Sequence, residues 1–233
     1  MAAFSASENF DSYTNLDPLG GLSGGSGWAA AWSANQGTGA DIVSNSQFIN
    51  SPNSVSWTGA GVNLGPLYNR QMSSAVTGDS TTVHVAMWIS DVSSTDGGYW
   101  EMYIGNSALN QYCVINLNVA QGKIQCRART GTVIDLLTGI SSNTWYHCYL
   151  ELDVTNQRCR GYASDTIPNA PVTMSSYSTG TFTGTIDYVW ISTETKTYVG
   201  TSYLDDIRDV GTDFTAVGGA SRDARNLALL GVG

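Results

Sequence analysis

Charge is scarce in this 233-residue chain, since Asp, Glu, Lys and Arg make up only 12% of it. A typical soluble domain carries about 25%. Positive charge is scarcer than negative, because 10 Lys and Arg stand against 19 Asp and Glu, for a formal net charge of −9. A surface of this sign repels phosphate backbones and anionic lipid headgroups. The composition therefore predicts that neither nucleic acid nor a membrane is a partner.

Long hydrophobic runs are also missing. No segment approaches the roughly 18 apolar residues of a membrane-spanning helix. The opening MAAFSASENFD has no basic segment followed by an apolar one, so it does not resemble a secretory signal. Two origins stay open: a mature domain whose signal has been removed, or a protein assembled inside a cell and released by lysis, as phage particles are.

Metal-binding and redox spacings of cysteine are absent. The four cysteines show no C-x-x-C pattern: Cys113, Cys126, Cys148 and Cys159. This argues against a zinc knuckle or thioredoxin-type chemistry. Each lies in a strand-like run, where for example Cys113 alternates with Ile115 and Leu117, so we predict free thiols in the core. One or two disulfides in an oxidising compartment are the alternative.

What the chain does have is glycine, 26 residues of it, together with seven Trp and twelve Tyr. Large aromatic side chains supply the apolar area for a core, and abundant glycine favours many tight turns. Alternation of period two is strongest in TTVHVAMWIS, where Val83 and Val85 share one face while His84 and Trp88 share the other. Turn signals recur every eight to twelve residues with no helical pattern between them, which predicts an all-β sandwich of about ten to thirteen strands.

Three hairpins are predicted within this pattern. TTVHVAMWIS and YWEMYIG are joined by VSSTDGG, QYCVINLNV and KIQCRAR by AQG, and WYHCYLELDV and RCRGYAS by TNQ. Further strands are expected in ADIVSNSQFI, SVSWTGAGV, TGTIDYVWIS and TSYLDDIRDV. Consecutive hairpins of this kind predict an antiparallel meander.

The C-terminal segment SRDARNLALLGVG has a helical pattern instead. Ser221 is a candidate N-cap, Gly231 a candidate C-cap, and Ala224, Leu227 and Leu230 share one face. We therefore divide the chain into a β-sandwich at 1–212 and an arm at 213–233. So short a helix is marginal in water and needs a docking surface. Both an assembly arm and a cap for the sandwich edge remain open.

The order of several segments resembles a known family. ENFDSYTNLDPLGGLSGGSGWAAAW, SVSWTGAGV, TTVHVAMWIS, WYHCYLELDV and SYLDDIRDV are similar, in order and spacing, to strands of concanavalin-A-like lectin/glucanase and laminin-G-like jelly rolls, over roughly residues 8 to 210. The resemblance implies two curved antiparallel sheets whose concave face or rim loops bind carbohydrate, in some members with calcium. The chain also looks like laminin-G-like proteins encoded among bacteriophage structural genes.

A candidate saccharide site follows from the strand alternation. The face predicted to lie opposite the core is rich in aromatic, amide and charged side chains: His84, Trp88, Tyr99, Glu101, Tyr103, Tyr112, Asn116, Asn118, Arg127, Arg129, His147, Tyr149 and Glu151. Aromatic planes suit the apolar faces of pyranose rings, and amides and carboxylates suit their hydroxyls. The site we predict consists of six of them: His84, Trp88, Tyr99, Glu101, Tyr103 and Tyr149. Packing beneath a covered or oligomeric face is the alternative role.

Catalysis is not predicted. The related glucanases carry E-x-D-x-E or E-x-D-x-x-E on one strand, whereas Glu151 and Asp153 are followed by no closing glutamate. Glu101 could pair with Glu151 across the sheet, which makes a weak acid pair. The two histidines, His84 and His147, lie in no G-x-S-x-G context.

No resident cofactor or metal is predicted either. Two pairs of aspartates offer the hard oxygen ligands that calcium prefers, so calcium stays the alternative. The pairs are Asp205 with Asp206, and Asp91 with Asp96.

We therefore predict a non-enzymatic protein of a virion surface, a capsid decoration, fibre or appendage subunit with weak glycan binding. Its partners would be other virion proteins or further copies of itself, and a cell-surface glycan. A secreted bacterial carbohydrate-binding module or lectin, located outside the cell, is the alternative. A glycoside hydrolase or lyase that lacks the usual carboxylate motif is the third hypothesis.

Overall fold

The alternating segments form strands. A computed structural model describes residues 3–36, 42–49, 52–58, 67–78, 81–92, 98–108, 110–168, 172–195 and 200–210. Within these residues the strands are β1 (Ser7–Glu8), β2 (Ser33–Gln36), β3 (Ile42–Ser44), β4 (Ser54–Thr58), β5 (Leu67–Gln71), β6 (Thr81–Ile89), β7 (Gly98–Gly105), β8 (Gln111–Asn118), β9 (Lys123–Ala128), β10 (Ile134–Thr138), β11 (Thr144–Asp153), β12 (Arg158–Ser164), β13 (Ser178–Thr179), β14 (Tyr188–Thr195) and β15 (Thr201–Asp209). The number exceeds the expected ten to thirteen partly because β1 and β13 are two-residue edge segments.

The strands form two antiparallel sheets. The eight-stranded sheet has the order β13, β12, β11, β6, β15, β4, β3, with β1 also paired to β15, and the seven-stranded sheet has the order β10, β9, β8, β7, β14, β5, β2. One cluster of buried apolar side chains draws on both sheets, so they form a sandwich. The all-β, two-sheet antiparallel prediction is confirmed, and the described residues contain no helix. Accordingly, no helix long and apolar enough to cross a bilayer is found among them. The predicted arm, with Ala224, Leu227 and Leu230, lies outside the described residues.

Two of the three predicted hairpins are confirmed, β8 with β9 and β11 with β12. The hairpin of β6 with β7 is wrong. β6 lies between β11 and β15 in one sheet, while β7 lies between β14 and β8 in the other. The apolar faces of both strands enter the same core from opposite sides, so that Val85 and Met87 belong to one cluster with Trp100 and Met102. Alternation is identical for strands that lie side by side and strands that face each other, which is why the pattern did not separate the two cases.

The cysteines are free and buried, as predicted. Cys159 on β12 contacts Cys113 on β8 and Cys126 on β9, so thiols from both sheets meet in the core. Burial raises the pKa of the Cys148 thiol above its ordinary range. These thiols act as small core hydrophobes.

An ion pair anchors the N-terminal segment to the sandwich. Arg70 on β5 lies 2.5 Å from a carboxylate oxygen of Glu8, and both side chains are almost wholly buried. The second Glu8 oxygen accepts from the amide of Phe10 at 3.0 Å. The Arg70 guanidinium also lies 4.8 Å from the ring centre of Trp28. The pair joins β1 to a strand 62 residues away.

Candidate functional site

The predicted site residues lie on opposite surfaces of the sandwich. Since β6 and β11 belong to the eight-stranded sheet and β7 to the seven-stranded sheet, His84, Trp88 and Tyr149 are separated from Glu101 and Tyr103 by the core. We call the outer side of the seven-stranded sheet, with Glu101, Tyr103, Asn116, Gln125 and Arg127, the amide face. The outer side of the eight-stranded sheet, with His84, Trp88, His147, Tyr149 and Asp206, is the histidine face.

This placement settles two further predictions and leaves that for Tyr99 untested. Glu101 and Glu151 lie on different sheets, so the weak carboxylate pair considered from the sequence is wrong. Tyr112 faces the core instead of the outer surface, because the pairing register shifts at the start of β8, between Ile104 and Gly105. Tyr99 lies in β7 opposite Asn118, and its side chain lies outside the described part of the chain.

A row of polar side chains crosses four strands of the amide face. The register places Glu101 beside Asn116, Asn116 beside Gln125, and Gln125 beside Asp135. Asn116 Nδ2 donates to Glu101 Oε1 at 3.4 Å, and Gln125 Nε2 donates to Asp135 Oδ1 at 2.7 Å. Asn118 Nδ2 donates to Gln125 Oε1 at 3.2 Å. Hydrogen bonds within two groups, Glu101 with Asn116 and Gln125 with Asn118 and Asp135, hold these side chains in place before any ligand arrives.

A second row, two residues along each strand, is largely apolar. Trp190, Tyr103, Val114 and Arg127 are successive cross-strand neighbours on β14, β7, β8 and β9. Tyr103 is 5% exposed and Trp190 1%, so both act mainly as packing residues. The Tyr103 hydroxyl donates to Glu101 Oε2 and thereby orients that carboxylate.

Two adjoining clefts open on the amide face. The first, of about 360 Å³, is lined by Glu101, Asn116, Asn118, Gln121, Gln125, Cys126, Arg127 and Val133. The second, of about 370 Å³, is lined by Gln111, Val114, Arg127, Arg129 and Thr130. Each is within the size range of small-ligand sites. In the first cleft the Oδ1 atom of Asn116 is buried and has no hydrogen-bond partner within the described part of the chain. It is an acceptor ready for a ligand hydroxyl or a water.

The histidine face carries a buried polar cluster. His84 Nδ1 lies 3.2 Å from Asp206 Oδ2, and His84 Nε2 lies 3.1 Å from His147 Nδ1. Arg208 Nη2 lies 3.2 Å from the same Asp206 oxygen. The Tyr149 ring packs against His84 at 4.8 Å between centres. This cluster binds β6, β11 and β15 to one another.

Two aromatic side chains on the histidine face are packed rather than open. Trp88 and Tyr203 are 6% and 8% exposed and meet edge to face at 5.1 Å. Such contacts stabilise neighbouring strands. The amide face carries clefts, and Glu101 and Tyr103 are the predicted residues that belong to it.

The aspartate pair considered for calcium is engaged by protein donors. Asp205 accepts from the amides of Ile49 at 2.9 Å and Asp206 at 2.7 Å. Burial, opposed by the Ile49 amide and reinforced by the Asp206 charge, raises the pKa of Asp205 to about 7. No group of three or more His, Cys, Asp or Glu suited to a metal ion occurs within the described residues. Asp96 lies outside those residues.

Two residues of the amide face were missed by the sequence analysis, Gln125 and Trp190. The signal existed in both strands, because each residue is out of phase with its core neighbours, Ile124 with Cys126 and Val189 with Ile191. The sequence analysis did not select Gln125 or Trp190, because the sequence does not show which strands are neighbours.

No protein-family model matches the chain, and no curated protein matches it. Among solved structures, it is similar to a carbohydrate esterase of a Shiga toxin-encoding bacteriophage, with a TM-score of 0.53, 14% identity and coverage of 84% of this chain and 97% of that one. The binding domain of botulinum neurotoxin serotype C1 gives a TM-score of 0.56 at 12% identity, covering 88% of this chain and 47% of that one. A sialidase gives 0.54 at 10% identity, covering 91% of this chain but only 19% of that one. At such identities the likeness shows the fold alone, a two-sheet β-sandwich.

Proposed function

We propose that the protein is a concanavalin-A-like jelly-roll lectin that binds a saccharide at the amide face. The observation that carries the proposal is the cleft lined by Glu101, Asn116, Asn118 and Gln125, whose side chains are hydrogen-bonded in two pairs, Asn116 to Glu101 and Asn118 to Gln125. Saccharide hydroxyls require donors and acceptors in fixed positions, which these side chains supply. The exposed Val133 adds an apolar contact at the rim.

The names of the structural neighbours support this proposal. One is called a carbohydrate esterase, one a sialidase and one a toxin binding domain. The first two act on carbohydrate by name, and the third binds a target by name. A saccharide is therefore the ligand class we propose for the amide face of this chain.

The site is proposed to bind without catalysis. Glycoside hydrolysis requires two carboxyl groups roughly 5 to 10 Å apart. Glu101 is separated from Asp135, the other carboxylate of its row, by three strand spacings, which is about 14 Å between backbones. Glu151 lies on the opposite face and is held there by Arg160 and Tyr177. A single carboxylate fixed by Tyr103 is better suited to accepting a ligand hydroxyl.

The setting we propose is the surface of a virion, as a decoration, fibre or appendage subunit that contacts other virion proteins or further copies of itself. Four buried free thiols support it, because they suit folding in a reducing cell interior before release by lysis. The alternative setting is a secreted bacterial carbohydrate-binding module. No resident metal or cofactor is proposed.

The first test is a glycan array followed by titration of the strongest ligand. Asn116→Ala removes the unpartnered acceptor and the donor to Glu101, so we expect binding to weaken about five- to tenfold, the effect of roughly one hydrogen bond. Asn45→Ala changes the same residue type at an exposed loop position and should leave binding unchanged.

Two results would oppose the proposal. One is the absence of any glycan signal across the array. The other is a loss of affinity of equal size in Asn116→Ala and Asn45→Ala, which would place the site elsewhere. Thermal unfolding of both variants, compared with the native chain, separates a binding defect from a folding defect.

A further inference from the structure

Arg127 stands between the two clefts of the amide face and lines both of them. It lies on β9, and its side chain is exposed. Its cross-strand neighbour is Val114, which offers no acceptor. No hydrogen bond or ion pair joins the Arg127 guanidinium to any residue in the described part of the chain, so its five N–H donors face the clefts or solvent.

Other arginines of the described residues are used differently. Four of them each pair with a carboxylate of the protein: Arg70, Arg158, Arg160 and Arg208. The fifth, Arg129, donates to the side-chain oxygen of Asn110. In a chain with nearly twice as many acidic as basic residues, an arginine left without an acidic partner at a cleft is a group available to a ligand.

Resting on the proposed saccharide function, we propose that the ligand is an anionic saccharide whose acidic group is bound by Arg127. A guanidinium presents paired donors that match the two oxygens of a carboxylate or sulfate. The hydroxyls of the same sugar residue or its neighbour would meet Asn116 and the exposed Gln121 in the first cleft. Arg129, on the rim of the second cleft, adds positive potential on the side away from Glu101.

The same geometry opposes a nucleic acid as the anion. Phosphate backbones are bound by several cations along a track, and affinity depends on their number. Here two arginines lie close together within a protein of net charge −9. One acidic group held beside a polar floor fits an acidic sugar better than a phosphate chain.

The test compares matched ligand pairs that differ only in charge. Oligogalacturonate and its methyl ester share a backbone with and without the carboxylate, and dextran sulfate and dextran do the same for sulfate. We expect the full-length protein to bind one acidic form at least about tenfold more tightly than its neutral partner. The pair that shows the difference identifies carboxylate or sulfate as the anion.

Three variants assign the effect to Arg127. In Arg127→Gln the affinity for the acidic ligand should fall to that for the neutral ligand. Arg127→Lys should retain part of the difference, because lysine keeps the positive charge but lacks the paired N–H donors of the guanidinium. Arg158→Gln makes the same charge change on the eight-stranded sheet and should have no effect.

The inference fails if acidic and neutral forms bind equally, or if Arg127→Gln and Arg158→Gln weaken binding alike. If either result is obtained while Asn116→Ala still weakens binding, the proposed saccharide function is retained and only the role of Arg127 is rejected. No binding of any of the four probes, together with a blank glycan array, would overturn both.

Discussion

At the scale of single residues, the buried Glu8–Arg70 pair ties the N-terminal segment to the sandwich. Glu8 accepts from Arg70, from the Tyr13 hydroxyl at 2.6 Å and from the Phe10 amide. Arg70 Nε donates in addition to the carbonyl of Ala30 at 2.8 Å. Burial, with the Glu8 carboxylate as the next cause, raises the pKa of Tyr13 above its ordinary value. Both charges are therefore well compensated, and each depends on the other.

Removing one member should be costly, because the other charge is left buried without its counterion. We expect Arg70→Met to lower the free energy of unfolding by about 3–5 kcal/mol. Denaturant unfolding followed by Trp fluorescence measures it, since Trp28 and Trp32 both lie close to the guanidinium. Arg158→Met, which affects a half-exposed arginine, should lower it much less. Equal losses in the two variants would contradict this account.

The sequence analysis did not predict the Glu8–Arg70 ion pair. Glu8 and Arg70 are 62 positions apart and lie in no alternating pattern that links them. Glu101 and Tyr103 were found because they are out of phase with Trp100 and Met102 within one strand. A local period reveals which side of a strand a residue takes, but not which distant residue will meet it.

At the scale of elements, β15 shows how one irregularity builds a polar cluster. The pairing with β6 shifts register between Asp205 and Arg208. Asp206 takes a positive φ of 57°, which is unfavourable for a residue with a side chain unless its surroundings hold it there. The bulge aims the Asp206 carboxylate at His84 and Arg208, and leaves Asp205 buried beneath Ile49.

Asp205 should make stability depend on pH. Its pKa is about 7 in the folded chain and roughly 3.9 when unfolded, so the folded state holds the proton more tightly. The stabilisation from this group is therefore complete below pH ~4 and is lost as pH rises to ~7, by an amount on the order of 4 kcal/mol. We expect the stability of the native chain relative to Asp205→Asn to decline between pH 5 and 7.5 and then to level off.

Denaturant titrations at several pH values measure this difference. Asp165→Asn makes the same substitution at an exposed position and is the control. A constant difference for Asp205→Asn across the same range would show that the Asp205 carboxyl titrates normally.

Element pairing was predictable where the connection is short and local. β8 with β9, and β11 with β12, follow from turns of a few residues between alternating runs. β6 and β7 have equally clear alternation, yet they face each other across the core. The wrong β6–β7 hairpin also affected the predicted site, because it placed residues of the histidine face and the amide face on one surface.

At the scale of the whole molecule, the sandwich keeps its two outer faces apart and gives them different roles. The histidine face joins strands through buried polar and aromatic contacts. The amide face holds clefts with Arg127 exposed between them. A subunit of a larger assembly would need a third surface for its neighbours, and the sequence offers the segment 213–233 for that purpose.

The predicted helix in the segment 213–233 leads to a prediction about the oligomeric state. Ala224, Leu227 and Leu230 share one face of the predicted helix, which is too short to be stable in water without a partner surface. We expect light scattering to show an oligomer for the full chain and a monomer for a chain that ends at Val217. Within the full-length protein, the double variant Leu227→Ser with Leu230→Ser should have the same effect, while Arg225→Gln, on the side of the predicted helix opposite Leu227, should not.

If all of these proteins have the same number of subunits, the arm is not an assembly element. If all are monomers, the virion setting loses this support, and a self-contained carbohydrate-binding module becomes the better account. If all are oligomers, the contact lies on the sandwich itself. Glycan titrations of the shortened chain then become decisive, because clefts on the amide face that serve a saccharide should bind it with the same affinity whether or not residues 218–233 are present.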